Sequence, residues 1–285
     1  MGKFKRNEFG GLFNNSAILV FLCVWVIVQM YPVVWLFLSS FKPSTEVRAK
    51  IFALPRSLYL ENYNFAAFNK MNITLHIYIK NSALVAVASL GILMVISVLA
   101  AYGIAKLKVI GKNILIIVLL GLLGVPTHAL MIPIFYFFSK LRLLDKLLGL
   151  ILPYAAFNAP FAILVLQSYF RQFPDELIDA AKIDGCGKLM TFLYVVMPIS
   201  IGAISSVTIL SFIAIWNEFL FALVMMRDNA AKTLPVGLMG FKGRYVVQWG
   251  PMMAALVIAL IPTIIVYFIF HKNLMKGISV GAIKG

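Results

Sequence analysis

Six stretches of the chain carry no Asp, Glu, Lys or Arg: residues 9–41, 81–105, 113–139, 147–170, 189–217 and 245–270. Each exceeds the roughly 20 residues that an α-helix needs to cross about 30 Å of hydrocarbon. None shows the short apolar–polar alternation of a membrane β-barrel, and in lipid the backbone must satisfy itself. The pattern predicts an all-α, polytopic membrane protein with six transmembrane helices in one domain, residues 1–285. The spans fall near 16–39, 81–105, 114–138, 147–169, 199–226 and 250–270. Pro126 and Pro133 predict a kink or break in the third, and the fourth holds Pro153 and Pro160 with Asn158 between them. The run after Lys188 continues to Met226 with only Glu218 in its way. At about 1.5 Å per residue it is too long for one straight crossing, so its start, up to Pro198, belongs to the loop layer. The 41–80 connection is polar and predicts short interfacial helices around Asn62–Phe68.

Composition agrees: 62% of residues are hydrophobic, 12% are charged and mean hydropathy is +0.97. The net charge of +15 does not point to nucleic acid, because Lys and Arg are spread over every inter-helix connection, as contact with lipid headgroups requires. Twelve basic residues fall on one side of the expected topology and thirteen on the other, so counts leave orientation open. The crowding of Lys106, Lys108 and Lys112 favours an inside N-terminus. The run behind the basic start MGKFKRN is too long for a signal peptide and reads as an uncleaved anchor. Cys23 and Cys186 suggest no disulfide framework, and His76, His128 and His271 are read as incidental. No metal site and no catalytic residue are expected.

The acidic residues are not spread out. FPDELIDAAKIDGCG, residues 173–187, holds four of the ten in the chain. Pro174 suits the first helical position, Asp175 and Glu176 suit the positive end of a helix dipole, and Gly185 suits the left-handed position that closes a helix. A helix over about 174–185 is too short and too charged to cross a membrane. Leu177 and Ala181 lie at i and i+4 with Ala180 beside them, small residues that permit close approach. An ordinary amphipathic helix covering the ends of the spans fits the local chemistry equally well.

The wider spacing is more specific. Asp179-Ala180-Ala181, three residues, Gly185, nine residues and Val195-Val196-Met197-Pro198 resemble the EAA motif, E-A-A-x3-G-x9-I-x-L-P. That motif belongs to permease subunits of binding-protein-dependent ABC importers. Asp179, Val195 and Met197 depart conservatively. SFKPSTEV, LAAYGIAK, WNEFLFAL, TLPVGL and KGISVGAIKG are similar, in order, to the maltose-type (MalG-like) sugar permeases. The resemblance implies a type I ABC importer permease fold in which 174–185 is a cytoplasmic coupling helix. The ATPase-coupling residues are then Asp179, Ala180, Ala181, Asp184, Gly185 and Pro198. It places both termini in the cytoplasm of a bacterial or archaeal plasma membrane. The implied partners are a second homologous permease, a dimer of ATP-binding subunits and an extracytoplasmic solute-binding protein. A C-terminal tail with Gly277 and Gly281 would reach between the ATPases, and the 227–249 loop would enter the binding protein's sugar cleft.

The implied cargo is a carbohydrate, an oligosaccharide in the first instance, with a polyol or glycerol phosphate as the alternative. No phosphate loop is present: Gly187-Lys188 has Lys182 where the first Gly belongs and Leu189 where Ser or Thr belongs. The chain is therefore expected to hold no cofactor, with ATP and Mg bound by the partner subunits. A secondary transporter would show inverted repeats or several intramembrane acids. Only Glu218 stands out, and because a mid-bilayer carboxylate costs about 2.5–3.5 kcal/mol on insertion scales, it is expected to face a pore or a partner or to lie near the outer surface. Glu218, Asn217 and Asn158 are candidates for the transport path or a subunit contact.

Overall fold

The structure is a computed structural model that describes residues 6–68, 75–243 and 246–282. Its helices are α1 (Arg6–Ser39), α2 (Ser44–Ala49), α3 (Glu61–Phe68), α4 (Leu75–Lys106), α5 (Lys112–Leu123), α6 (Met131–Lys140) and α7 (Leu148–Arg171). They continue with α8 (Asp175–Ile183), α9 (Lys188–Thr191), α10 (Met197–Ile199), α11 (Ile201–Trp216), α12 (Leu220–Met225), α13 (Leu234–Leu238) and α14 (Trp249–Ala282). Among the described residues the only β pairing is an isolated bridge between Lys242 and Val247.

Among the described residues four helical segments are long and apolar enough to cross a membrane alone: Ile18–Ser39, Leu75–Lys106, Leu148–Arg171 and Trp249–His271. The other two expected crossings are bent pairs. Lys112–Leu123 meets Thr127–Lys140 at 87°, and Lys188–Ile199 meets Ile201–Trp216 at 74°. The first bend follows from Gly124 and Pro126. Pro126 is extended (φ −66°, ψ 108°) and has no N–H to continue a helix. Pro133 causes no break, because it lies in the first turn of α6, where N–H groups have no helical partner anyway. The second bend falls at Ser200, just past Pro198 and a π-helical turn at Phe192–Val196. The expected span 199–226 also stops short: α11 ends at Trp216, and α12 starts afresh at Leu220.

Two compact units divide the described chain. In the larger (residues 73–240 with 259–285), α4 packs along α7 through small buried residues: Ala86, Ser89, Ser97 and Ala101 on one helix, Ala155 and Ala162 on the other. Lipid gives no hydrophobic drive for helices to associate, so close packing of small side chains and interhelical hydrogen bonds must hold the seam. One such bond runs from Ser89 Oγ to Ile151 O (3.2 Å). Tyr102, Phe170, Phe173, Ile178 and Phe192 extend this core beyond the end of α4. In the same unit, Asn81 Nδ2 donates to Ala230 O (2.8 Å) and Lys232 O (3.0 Å), and the Leu234 N–H donates to Ser82 Oγ (2.8 Å). These bonds tie the first half of the 227–249 loop to the start of α4. Arg244 and Tyr245 of that loop lie outside the described residues.

The smaller unit is built from residues up to 72 with 241–258. The Asn62 amide donates to Ser40 O (2.7 Å) and Lys42 O (2.8 Å), Ser40 pairs with the Tyr63 hydroxyl, and the Gly250 N–H donates to Ser44 Oγ (3.1 Å). So the short helices expected in the 41–80 connection form as α2 and α3 and are tied into their own unit.

Gly149 lies at the start of α7, where an added Cβ would press on the backbone oxygen of Leu143. A backbone atom cannot swing aside. Gly149→Ala is expected to cost about 1–3 kcal/mol and to lower the melting temperature of the detergent-solubilised chain by several degrees. Gly91→Ala, with open space around its Cβ, is the control. An unchanged melting temperature for Gly149→Ala contradicts the packing described.

Candidate coupling surface and membrane cavity

Helix α8 starts one residue later than its sequence suggests. Pro174 is the extended residue before the helix (φ −60°, ψ 125°), and Asp175 opens it. Gly185 has φ +84°, the left-handed conformation that favours glycine. Around it the Gly185 N–H donates to Lys182 O (3.1 Å) and the Cys186 N–H to Ala181 O (2.9 Å). This is the paired closure of a Schellman motif.

The faces of α8 are sorted differently from the sequence reading. Ile178 and Ala181 are buried against the chain's own core, at 8% and 6% exposure, whereas Leu177 and Ala180 are exposed. Residues four apart on a helix differ by about 40° in direction, enough for a face boundary to pass between Leu177 and Ala181. Asp179, Ala180 and Ile183 point outward, and Ile183 is 86% exposed, a large apolar side chain on a helix otherwise rich in charge. Asp179 pairs with Lys182 (2.8 Å) and holds that ammonium's pKa above its ordinary value; the pair is solvent-exposed and contributes little to stability. Asp184 sits at the helix end, and Pro198 is exposed on α10.

The anchor of α8 is Lys106, the last residue of α4. Its side chain is 9% exposed, and Nζ donates to Phe173 O and Asp175 Oδ1, both at 2.6 Å. Beside it a cleft of about 980 Å³ is lined by Lys108 and Lys188 and by the paired Lys106–Asp175 and Lys182–Asp179.

The second group of candidates lies within the helices. Asn158 and Glu218 share a cavity of about 220 Å³ with Tyr154, Phe157, Phe221 and His128. The Glu218 carboxylate accepts from the N–H groups of Phe221 (2.7 Å) and Ala222 (3.1 Å), capping α12, and also from the Tyr154 hydroxyl. Asn158 donates to Tyr154 O (2.8 Å). Asn217 stays outside this group: it is exposed and its amide donates to Ile213 O (2.9 Å). Gly277 and Gly281 lie in the helical backbone of α14 past its apolar part. No group of three or more metal-ligating side chains occurs among the described residues.

The family of binding-protein-dependent transport system inner membrane components matches residues 95–280, a stretch that holds both α8 and the cavity. The chain belongs to this family. The permease is similar to the trehalose/maltose transport system permease protein MalG of Thermococcus litoralis, with 36% identity over 91% of this chain and 93% of the relative. It is likewise similar to the diacetylchitobiose uptake system permease protein NgcG of Streptomyces coelicolor, with 31% identity over 92% of this chain and 87% of the relative. Its fold is similar to that of a chain in the crystal structure of a bacterial ABC transporter involved in the import of the acidic polysaccharide alginate. There the TM-score is 0.77 and identity 23%, covering 96% of this chain and all of the other. The permease is thus a multi-pass transport subunit with the ABC importer permease fold.

Sequence reasoning missed Lys106, Tyr154, Phe157 and His128. Tyr154 and Asn158 stand four apart on α7 and so share a face, a signal present in the sequence. His128 gave none, because its place depends on the break after Pro126. Lys106→Met is expected to leave the permease's melting temperature nearly unchanged while raising amide hydrogen exchange over residues 173–180 about tenfold, since bonds to a charged donor hold that turn. Unaltered exchange contradicts the anchoring role.

Proposed function

We propose that the permease is the membrane subunit of an ATP-driven importer for a carbohydrate, with α8 as the helix that receives the force of a separate ATPase. The observation that carries this reading is the outward face of α8. Asp179, Ala180 and Ile183 face solvent on a helix whose other side, through Ile178 and Ala181, belongs to the core that includes α4 and α7. An exposed Ile183 beside a small Ala180 suits a partner's cleft, and Lys108 and Lys188, in a cleft where Lys106 and Lys182 are already paired with Asp175 and Asp179, suit acidic groups on that partner. A partner that seats α8 moves the end of α4 with it through Lys106.

In this reading ATP and Mg are bound and hydrolysed by a dimer of partner subunits, and the permease itself holds no cofactor. ATP binding favours one arrangement of the permease pair over another and so shifts the membrane path between its two openings. The face of α8 then lies in the cytoplasm, with both termini on that side of a bacterial or archaeal plasma membrane. A second, homologous permease completes the path, and the uncovered apolar length of α1 offers surface for it or for lipid. An extracytoplasmic solute-binding protein delivers the cargo. The tail around Gly277 and Gly281 extends toward the ATPase dimer. Trehalose/maltose and diacetylchitobiose in the names of two relatives support a carbohydrate, here an oligosaccharide, and their difference leaves the particular sugar to the partner proteins.

Two substitutions test the docking face. Ala180→Trp adds bulk on the outward side only, so it is expected to abolish transport and co-purification with the ATPase at an unchanged melting temperature. Gly185→Glu, which adds a Cβ and a charge at φ +84°, is expected to abolish both as well, through a displaced turn and with a lowered melting temperature. Normal uptake and normal ATPase association in both variants would overturn the assignment.

A further inference from the structure

The cavity around Glu218 is unlike the rest of the membrane-embedded surface, because two helix breaks meet at it. The turn at Thr127–Leu130, where α5 and α6 bend by 87°, supplies Thr127 and His128; the break between α11 and α12 supplies Glu218. Irregular backbone at membrane depth persists only where protein buries it or where it lines a watered cavity, and transporter sites are commonly built at such breaks. The cavity also lies along α7 between Tyr154 and Asn158, about 9–15 Å from the Leu148 end of that helix.

Its lining has two chemistries. Phe157 and Phe221 meet edge to face with ring centroids 5.7 Å apart, and the Tyr154 and Phe221 rings are 6.1 Å apart. These rings form an apolar wall. Opposed to them are polar groups with capacity left over. The Glu218 carboxylate has about four acceptor positions, and donors occupy three of them. Asn158 uses its N–H on Tyr154 O and keeps its carbonyl oxygen, while the His128 imidazole, unlike its backbone oxygen, makes no hydrogen bond to the described residues. Apolar ring faces with a few converging hydrogen-bonding groups match a sugar ring, whose C–H face packs on aromatics while its hydroxyls donate and accept. At about 220 Å³ the cavity is smaller than the roughly 300–1,000 Å³ of sites that enclose a whole drug-sized ligand, so it suits one ring of a longer chain. The fixed carboxylate disfavours an anionic ligand such as glycerol phosphate or a uronic acid.

We propose that this cavity is a subsite for a neutral sugar ring on the transport path, with Phe157 as the stacking face and Asn158, His128 and Glu218 as hydroxyl partners. The inference rests on the carbohydrate reading above. The test uses the whole importer in liposomes, with radiolabelled maltose, trehalose and diacetylchitobiose as probes. For the sugar that the wild type takes up, Phe157→Ala is expected to reduce the uptake rate about threefold to tenfold, while Phe157→Tyr restores it. As a second readout, His128→Cys in a Cys23→Ser, Cys186→Ser background is expected to react with a polar thiol reagent. Saturating amounts of that sugar should slow the reaction, and glycerol 3-phosphate should not. Uptake of none of the three sugars by an importer with intact stimulated ATPase overturns the carbohydrate reading and the subsite with it. Sugar uptake that is indifferent to Phe157→Ala, or equal labelling of His128→Cys with and without sugar, overturns the subsite alone.

Discussion

The close seam between α4 and α7 is the constraint on which the rest depends. Lipid tails are as apolar as the helices themselves, so nothing squeezes these two together except contact and hydrogen bonds. Ala86, Ser89, Ala101, Ala155 and Ala162 let the backbones approach, and Ser89 adds its bond to Ile151 O. The seam does not stop at the ends of the helices. Tyr102 meets Phe170 edge-on at 5.9 Å and lies 4.8 Å from the Phe192 ring, and Phe173 and Ile178 complete the same cluster. Lys106 then fastens the first turn of α8 to the last turn of α4. A load on α8 therefore reaches the seam through packed rings and a charged anchor, with no flexible linker between.

A second consequence of the lipid environment governs the breaks. Where a helix stops inside hydrocarbon, its free N–H and C=O groups need partners. Glu218 meets this need at the start of α12 by accepting from Phe221 and Ala222, and the Tyr154 hydroxyl ties the same carboxylate to α7. Glu218 is thus a helix cap first. Hydrogen-bonding capacity remains on its neighbours Asn158 and His128 and at one acceptor position of Glu218 itself.

Much of this was legible in the sequence, and the limits have physical causes. Charge-free runs revealed the apolar segments because lipid penalises any ion there, and the spacing from Asp179 to Pro198 identified the family. Gly185 at φ +84° is where glycine alone is comfortable, so its role in closing α8 could be read directly. The straightness of the spans could not. Pro153 and Pro160 sit inside a continuous α7, whereas Pro126 ends a segment, because packing against α4 supports α7 and no residue of α5 is buried. The faces of α8 were misjudged for a similar reason: Leu177 and Ala181 share a helical stripe, but the core contacted through Ile178 divides it. Asp179, with its short side chain, is engaged by Lys182 of its own helix, a contact that identity alone does not disclose.

In the proposed importer the permease presents the Asp179–Ala180–Ile183 side of α8 to a partner ATPase and keeps the Ala181 side for itself. The most direct measurement is photo-crosslinking from single positions in membranes that contain the assembled importer. A photoreactive side chain at position 180 should capture the ATPase subunit, and one at position 181 should yield only products within the permease. Capture of the ATPase from position 181, or from neither position, would contradict the account.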